Sequence, residues 1–324
     1  MQDIRVRTKA NLFLWISLAV MSGGIVVALL FVHNAPQFIV NGLRYGSMLM
    51  LGGIGLTLAY KIMNFGNFAH GDLMALGAFL AFFFNRTLGL PLEASFFATV
   101  LLTPFLAILF DHILYKRMRR SSIIVLVIAS FGVALFLRNL MQALWGPGFQ
   151  SYRAPVTPGL LLPFGVRLTT TQILMIVTAL VLVGLLQLFL KYTRMGKAMR
   201  ATSDNANLAQ VCGINTEKII RWTWGISGAL AAAGGVFFGL EFGLNSNMGG
   251  LIILPLFASV ILGGIGSPLG AFAGGLIIGV AQNLLVFPAT PIPGSYKPAV
   301  SFVLMILILL LRPQGLFGGG ERSA

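Results

Sequence analysis

Four polar side chains fall close together in an otherwise oily stretch: Asn64, Asn67, His70 and Asp72, in the order Asn64-Phe65-Gly66-Asn67-Phe68-Ala69-His70-Gly71-Asp72. Amide, imidazole and carboxylate groups at this spacing can hydrogen-bond a polar solute, cap a helix or open a wet seam between helices. They interrupt what otherwise reads as a helical hairpin, and broken backbone inside a bilayer is tolerated only where protein or a water-filled cavity satisfies it. His70 and Asp72 stand near the start of the next helix, where a carboxylate meets the positive end of the helix dipole. From the residues alone two readings stay open: a tight cytoplasmic turn fixed by asparagine and glycine, or a gate or lining element of a translocation path. A second polar group, Glu241 and Asn245 with Ser246 and Asn247, sits at the predicted outer end of a later span. Intramembrane carboxylates mark function by default, but at an interface a structural or solvent-facing role competes with a pathway role.

Catalytic chemistry finds little to stand on. The chain has no Walker phosphate loop, dinucleotide fingerprint, HExxH or GxSxG. His33, His70 and His112 are scattered, and Cys212 is the single cysteine, so neither a metal motif nor an intramolecular disulfide is expected. No cofactor is expected in this chain. If transport needs ATP, another subunit must hydrolyse it.

The elements that position these groups are set by composition. Of 324 residues, 57% are hydrophobic and only 9% charged, against roughly 25% charged in soluble domains. Residues 10–43, 168–190, 222–240 and 242–296 contain no Asp, Glu, Lys or Arg, and about 20 apolar residues cross a bilayer as a helix. The expected fold is therefore an all-α polytopic membrane protein with about eight to ten transmembrane or re-entrant segments. The spans are read as 12–32, 39–60, 68–84, 93–114, 121–141, 169–190, 219–241, 250–265, 269–287 and 297–311. The first is read as a retained span and not a cleaved signal peptide. Gly266-Ser267-Pro268 splits the eighth from the ninth, and these two short pieces could instead be a re-entrant pair. One transmembrane domain, 12–317, is expected between a cytoplasmic N-terminus, 1–11, and a cytoplasmic tail, 318–324.

A net charge of +14 ordinarily raises nucleic acid as a partner, but its placement speaks for topology and no nucleic-acid partner is expected. With both termini inside, 16 of the 22 basic residues fall on cytoplasmic connections, and Arg44, Arg86, Arg138, Arg153, Arg167 and Lys297 lie outside or near outer helix ends. That bias follows the positive-inside rule. Gly225 to Gly279 is dense in glycine, which lets membrane helices approach closely. The outer connection, 142–168, carries Trp145-Gly146-Pro147-Gly148 and three further prolines, which argue against continuous helix. The inner connection, 191–218, starts basic and then places Leu208, Val211 and Ile214 at helical spacing, with Gly213 to end the helix. It is either a solvated, topology-setting loop or a docking helix for a cytoplasmic partner.

Three blocks carry a resemblance. Asn41-Gly42-Leu43-Arg44-Tyr45-Gly46-Ser47, Leu51 to Tyr60 and Asn64 to Asp72 strongly resemble the branched-chain amino acid ABC transporter permease family, nearer its LivH-like than its LivM-like members. The similarity continues through Gly196 to Ala201, Gly213 to Asn215, Gly228 to Gly235 and Leu262 to Gly270, and ends at Leu311 to Phe317. It covers about residues 38–317, though without a clear EAA signature of the wider class. The resemblance implies a permease subunit in the cell inner membrane that works by alternating access. The implied partners are a second, LivM-like permease, two cytoplasmic ABC ATPases holding ATP and magnesium, and an extracytoplasmic solute-binding protein. It also implies an amino-acid solute, usually Leu, Ile or Val, although relatives handle other amino acids, amides or urea. The 196–215 loop becomes the expected ATPase coupling element, with Lys197, Arg200, Ala201, Asp204, Leu208 and Gly213 as its candidate contacts. The competing expectations are an ATP-independent secondary transporter or channel, and a membrane scaffold without a solute.

The charge partition generates a topology test. In a Cys212→Ser background, a membrane-impermeant thiol reagent applied to intact cells is expected to label Gly159→Cys and not Ser203→Cys. The reverse pattern overturns the orientation.

Overall fold

The structure, a computed structural model, describes residues 35–119, 121–154, 159–161, 165–285 and 296–317. The expected first span and both terminal segments lie outside the described residues. The described chain is almost all helix: α1 (Ala35–Met63), α2 (His70–Phe82), α3 (Leu92–Phe110), α4 (Ile123–Trp145), α5 (Thr170–Tyr192), α6 (Arg194–Asp204), α7 (Ala206–Val211), α8 (Thr216–Phe242), α9 (Met248–Gly263), α10 (Pro268–Leu285) and α11 (Lys297–Leu311). α2 runs on through a π-helical turn, Phe83–Thr87, and α3 through another, Asp111–Tyr115, into Lys116–Met118. Among the described residues six helices are long and apolar enough to cross a membrane: α1, α3 extended to Met118, α4, α5, α8 and α10. α9 and α11 are shorter apolar helices. The chain is an all-α polytopic membrane protein: eight of the expected spans from 39–60 onward fall on these helices, and the 68–84 span falls on α2 with its π-helical turn.

α1 is the hub. In its most apolar window 78% of residues are buried, against 22% for α3 and α5. α1 is therefore a core helix, whereas α3, α4 and α5 are rim helices presenting side chains such as Phe97, Leu101, Ile124 and Leu185 outward. Lipid tails are as apolar as leucine, so helices associate in a bilayer through close packing, which small residues permit. At the α1–α10 crossing, a Cβ on Gly42 would lie 2.5 Å from Val280 Cα and one on Gly46 would lie 2.9 Å from Leu276 Cα. From the other side, a Cβ on Gly279 would strike Gly46 N and Gly42 O. α8 seats Gly228 on Ala107 and Gly235 on the Met74 backbone, while α9 and α10 meet through Gly263, Gly270 and Gly274. The turn joining that pair uses Gly264 at φ 105° and Gly266 at φ 84°, backbone that a side chain resists.

The two long connections differ from each other in kind. The outer one is irregular apart from a short antiparallel hairpin, β1 (Gly159–Leu161) with β2 (Arg167–Thr169), as its glycine and proline content requires. The inner one, where the spacing of Leu208, Val211 and Ile214 suggests a helix ended by Gly213, is two short helices, α6 and α7. Asn205, at φ −157° and ψ 102°, breaks the run, and its Oδ1 accepts from Leu208 N at 2.9 Å to cap α7. A short side chain that bonds to nearby backbone favours caps over helix interiors, which is why the break falls at this residue.

The glycine crossings yield a stability test. Gly279→Leu is expected to overpack the α1–α10 contact against backbone, with a cost of about 3 kcal/mol or more. Detergent-solubilised protein should then aggregate on fluorescence-detected gel filtration. Gly132→Leu, at a glycine with nothing within 4 Å of its added Cβ, should elute as wild type.

Candidate functional site

Asn64 follows α1 at φ 55°, the one non-glycine residue with positive φ among the described residues. Asparagine is among the residues enriched in this region. Residues 65–68 then run as irregular backbone back into the bundle. The depth is measurable along α1. His70 Nε2 lies 2.9 Å from the Gly52 carbonyl oxygen. Gly52 is 11 residues before Met63, or about 16 Å at 1.5 Å per residue. That is about half of a 30 Å hydrocarbon core, so α2 begins deep in the bundle and not at the inner surface.

Side chains satisfy part of the backbone on this climb. Asn67 Oδ1 accepts from Ala69 N at 3.1 Å and from the Tyr115 hydroxyl at 3.3 Å. Phe68 N donates to Ser130 Oγ at 3.1 Å. Tyr115 comes from the π-helical turn and stacks on Trp224 of α8 with ring centroids 5.1 Å apart. His70 is fully buried, and because a carbonyl only accepts, its Nε2 must donate to Gly52. Its Nδ1 has no hydrogen-bond partner.

Asp72 is 1% exposed and pairs with Arg138 of α4, whose Nε and Nη2 each reach a carboxylate oxygen at 3.3 Å. Arg138 is the only formal charge within α4. The start of α9 closes the site from the other side. A Cβ on Gly249 would lie 2.5 Å from Asp72 Oδ1, and one on Gly250 would lie 2.6 Å from Arg138 Nη2. The carboxylate is thus held between the first turns of two helices, both positive ends of helix dipoles, and one guanidinium. The Arg138 side chain is 27% exposed, and Asn139 and Gln142 are exposed on the same stretch of α4. A polar strip therefore crosses an otherwise apolar outer face, beside Phe131, Phe68 and Phe257, which stack at 4.3 and 4.7 Å.

The remaining candidates fall elsewhere. Glu241 is held by Arg44 of α1 at 2.5 Å, with side-chain exposures of 16% and 14%. Asn245 Oδ1 accepts from Asn247 N at 2.8 Å, a local turn contact just before α9. Neither meets the Asp72 cluster. An isolated bridge, Gln150 N to Leu244 O at 2.9 Å and Leu244 N to Gln150 O at 2.8 Å, joins the outer connection to the α8–α9 turn. In the 191–218 connection, Lys197, Arg200, Ala201, Asp204 and Leu208 are all exposed, and Gly213 sits at φ 83° after α7. Sequence reasoning passed over Arg138 and Arg44 by counting them as outer topology charges. A lone arginine inside a 23-residue apolar helix was the available signal. It also passed over the inner ion cluster, in which Arg119 bridges buried Asp111 and Glu217 at 2.5 Å each and ties α3 to the start of α8.

These elements make a multi-pass, glycine-packed helical bundle with a broken helix start and a buried carboxylate. The chain belongs to the family described as branched-chain amino acid transport system / permease component, whose profile matches residues 38–309. It is 34% identical over 309 residues to the high-affinity branched-chain amino acid transport system permease protein BraD of Pseudomonas aeruginosa, covering 90% of this chain and 98% of that relative. It is 32% identical over 299 residues to LivH of Escherichia coli K12, a permease of the same description, covering 88% and 96%. Among solved structures, PsaBC from Streptococcus pneumoniae in complex with Fab aligns over 90% of this chain and 97% of that one, at 13% identity and a TM-score of 0.48.

The buried pair gives an asymmetric prediction. Arg138→Gln strands a buried carboxylate and should cost about 3–5 kcal/mol, whereas Asp72→Asn leaves a guanidinium that is partly exposed rather than buried. Thermal unfolding of purified protein should rank Arg138→Gln below Asp72→Asn, with the double variant more stable than Arg138→Gln alone. Asp72→Asn should lower uptake more than membrane abundance; equal proportional losses would assign the pair a folding role only.

Proposed function

We propose that this chain is the LivH-like permease subunit of an ATP-driven importer of branched-chain amino acids, and that the face formed by α4, α9 and the start of α2 is its half of the translocation path. The observation that carries the reading is the Asp72–Arg138 pair, held at a polar strip on a face that would otherwise contact lipid. A charged pair at such a surface is stable when it faces a second protein or a wet passage. The relatives' names supply the solute class; other amino acids, amides or urea stay within reach of the same site, since a pair of opposite charges suits any small zwitterion or strongly dipolar solute. A LivM-like permease provides the opposing face.

Both termini face the cytoplasm in this reading. Solute arrives from an extracytoplasmic binding protein at the outer surface, where the Gln150–Leu244 bridge couples two connections. On the inner side α6 and α7 dock on cytoplasmic ATPases, which hold the ATP and magnesium. Their exposed face combines Lys197 and Arg200 with Leu208 and Val211, a mixture of charge and bare apolar surface suited to a protein partner. Alternating access then requires ATP or solute to favour one state over the other.

The test is made on α6 and α7. Ala201→Arg and Leu208→Arg each add bulk and charge at exposed positions, so the permease should stay folded. Copurification with the ATPases and solute-stimulated ATP hydrolysis should both fall by at least about tenfold, as for truncating an interface hot spot. If complex and stimulated hydrolysis survive both changes, α6–α7 is a topological connector, and the interface must be sought first at 115–121. Uptake that continues in cells without the ATPases would instead make the chain a secondary transporter.

A further inference from the structure

A second polar site lies apart from the Asp72 cluster, where the C-terminal ends of α1 and α5 meet α6 and the first turn of α10. It is a pocket of about 260 Å³ bounded by Lys61, Lys191, Arg200, Gln187, Ser203 and Ser267, with apolar walls that include Leu58 and Leu190. A single water needs roughly 10–15 Å³ by the same kind of measure, so the pocket is large enough for a molecular group. No carboxylate lines it. Among the described residues none of the three cations has a salt-bridge partner, in contrast to Arg44, Arg119 and Arg138. The Gln187 amide nitrogen is buried without a hydrogen-bond acceptor. Ser267 is the cap of α10, its Oγ accepting from Gly270 N at 3.1 Å, so a helix start also faces this end of the bundle. Three cations, an unused amide donor and a helix N-terminus around one cavity define an anion site.

We infer that this pocket binds the phosphate headgroup of an anionic phospholipid. The choice of lipid over a soluble phosphate rests on the walls and the position. The pocket sits at helix ends that mark the membrane boundary, and its lining includes Leu269, 57% exposed, an apolar side chain suited to acyl chains; Tyr192, 67% exposed, follows the lining Lys191 in the chain. Basic pockets at the cytoplasmic ends of membrane helices hold such headgroups. Because Arg200 and Ser203 belong to α6, an occupied pocket would tie the inner connection to α1 and α10 through the lipid.

The test is lipid retention by the intact permease complex, followed by native mass spectrometry after delipidation and addition of defined lipid. Wild type should retain phosphatidylglycerol over phosphatidylcholine. Lys61→Gln with Lys191→Gln should lower that retention by about thirtyfold, from about a factor of five per cation. Lys61→Arg with Lys191→Arg should restore it, which separates loss of charge from misfolding. Equal retention of the two lipids, or unchanged phosphatidylglycerol on the Gln variant, overturns the inference. Displacement of phosphatidylglycerol by millimolar inorganic phosphate would make the site one for a free anion. Loss of ATPase copurification with lipid retention intact would assign the cations to an acidic partner surface, and either result rejects the lipid. Uptake of amino acid is not read in any arm, so the solute assignment stands or falls separately.

Discussion

Inside hydrocarbon, a backbone N–H or C=O without a partner costs several kcal/mol, and residues 64–69 carry such groups into the middle of the bundle. The surrounding structure is arranged around satisfying them. Asn67 reaches forward to Ala69 N and sideways to Tyr115, Ser130 receives Phe68 N from α4, and His70 binds the Gly52 carbonyl of α1. Three helices are thereby pinned to one short segment. The π-helical turn at Asp111–Tyr115 is part of that arrangement, since it carries the tyrosine that meets Asn67. Such turns are often found where a functional geometry overrides regular helix.

Satisfying the backbone is only possible if the helices come close enough, and glycine sets that distance. Gly52 and Gly55 leave room beside α1 for Met74 and for the His70 ring, and Gly71 lets the backbone of α2 touch Gly249 of α9. Side chains at these positions would separate the two helix starts and strand Asp72 between them. The electrostatic consequence follows from the packing. Two helix N-termini and Arg138 converge on one carboxylate, which makes an acid at this depth stable and leaves the guanidinium partly free at the surface.

The two long connections are built differently. Residues 142–168 are largely irregular backbone held by a few bridges. Residues 191–218 form short, capped helices seated on the bundle. Thr193 Oγ1 caps Gly196 N at 3.0 Å, and Gly196 itself packs on the Leu190 backbone, where a Cβ would lie 2.5 Å from Leu190 Cα. α6 is thus tied directly to α5.

Hydropathy and glycine density determined by themselves that the chain is a helical membrane bundle, and they located the spans among the described residues within a few residues, because the bilayer fixes helix length and disfavours charge. The Asn64-to-Asp72 block was also legible, since polar residues in an apolar run need a reason. Its depth was not legible. A broken segment at an interface and one in mid-membrane have the same local sequence, and only the packing of His70 on Gly52 separates them. Partners were equally out of reach: Asp72 meets Arg138 across 66 positions, and Glu241 meets Arg44 from another helix, so a charge that counts toward topology along the chain becomes half of an ion pair in three dimensions. The split of the inner connection at Asn205 lay between these cases. The capping residue was visible, but whether a helix tolerates or breaks at it depends on the bundle against which its buried face packs.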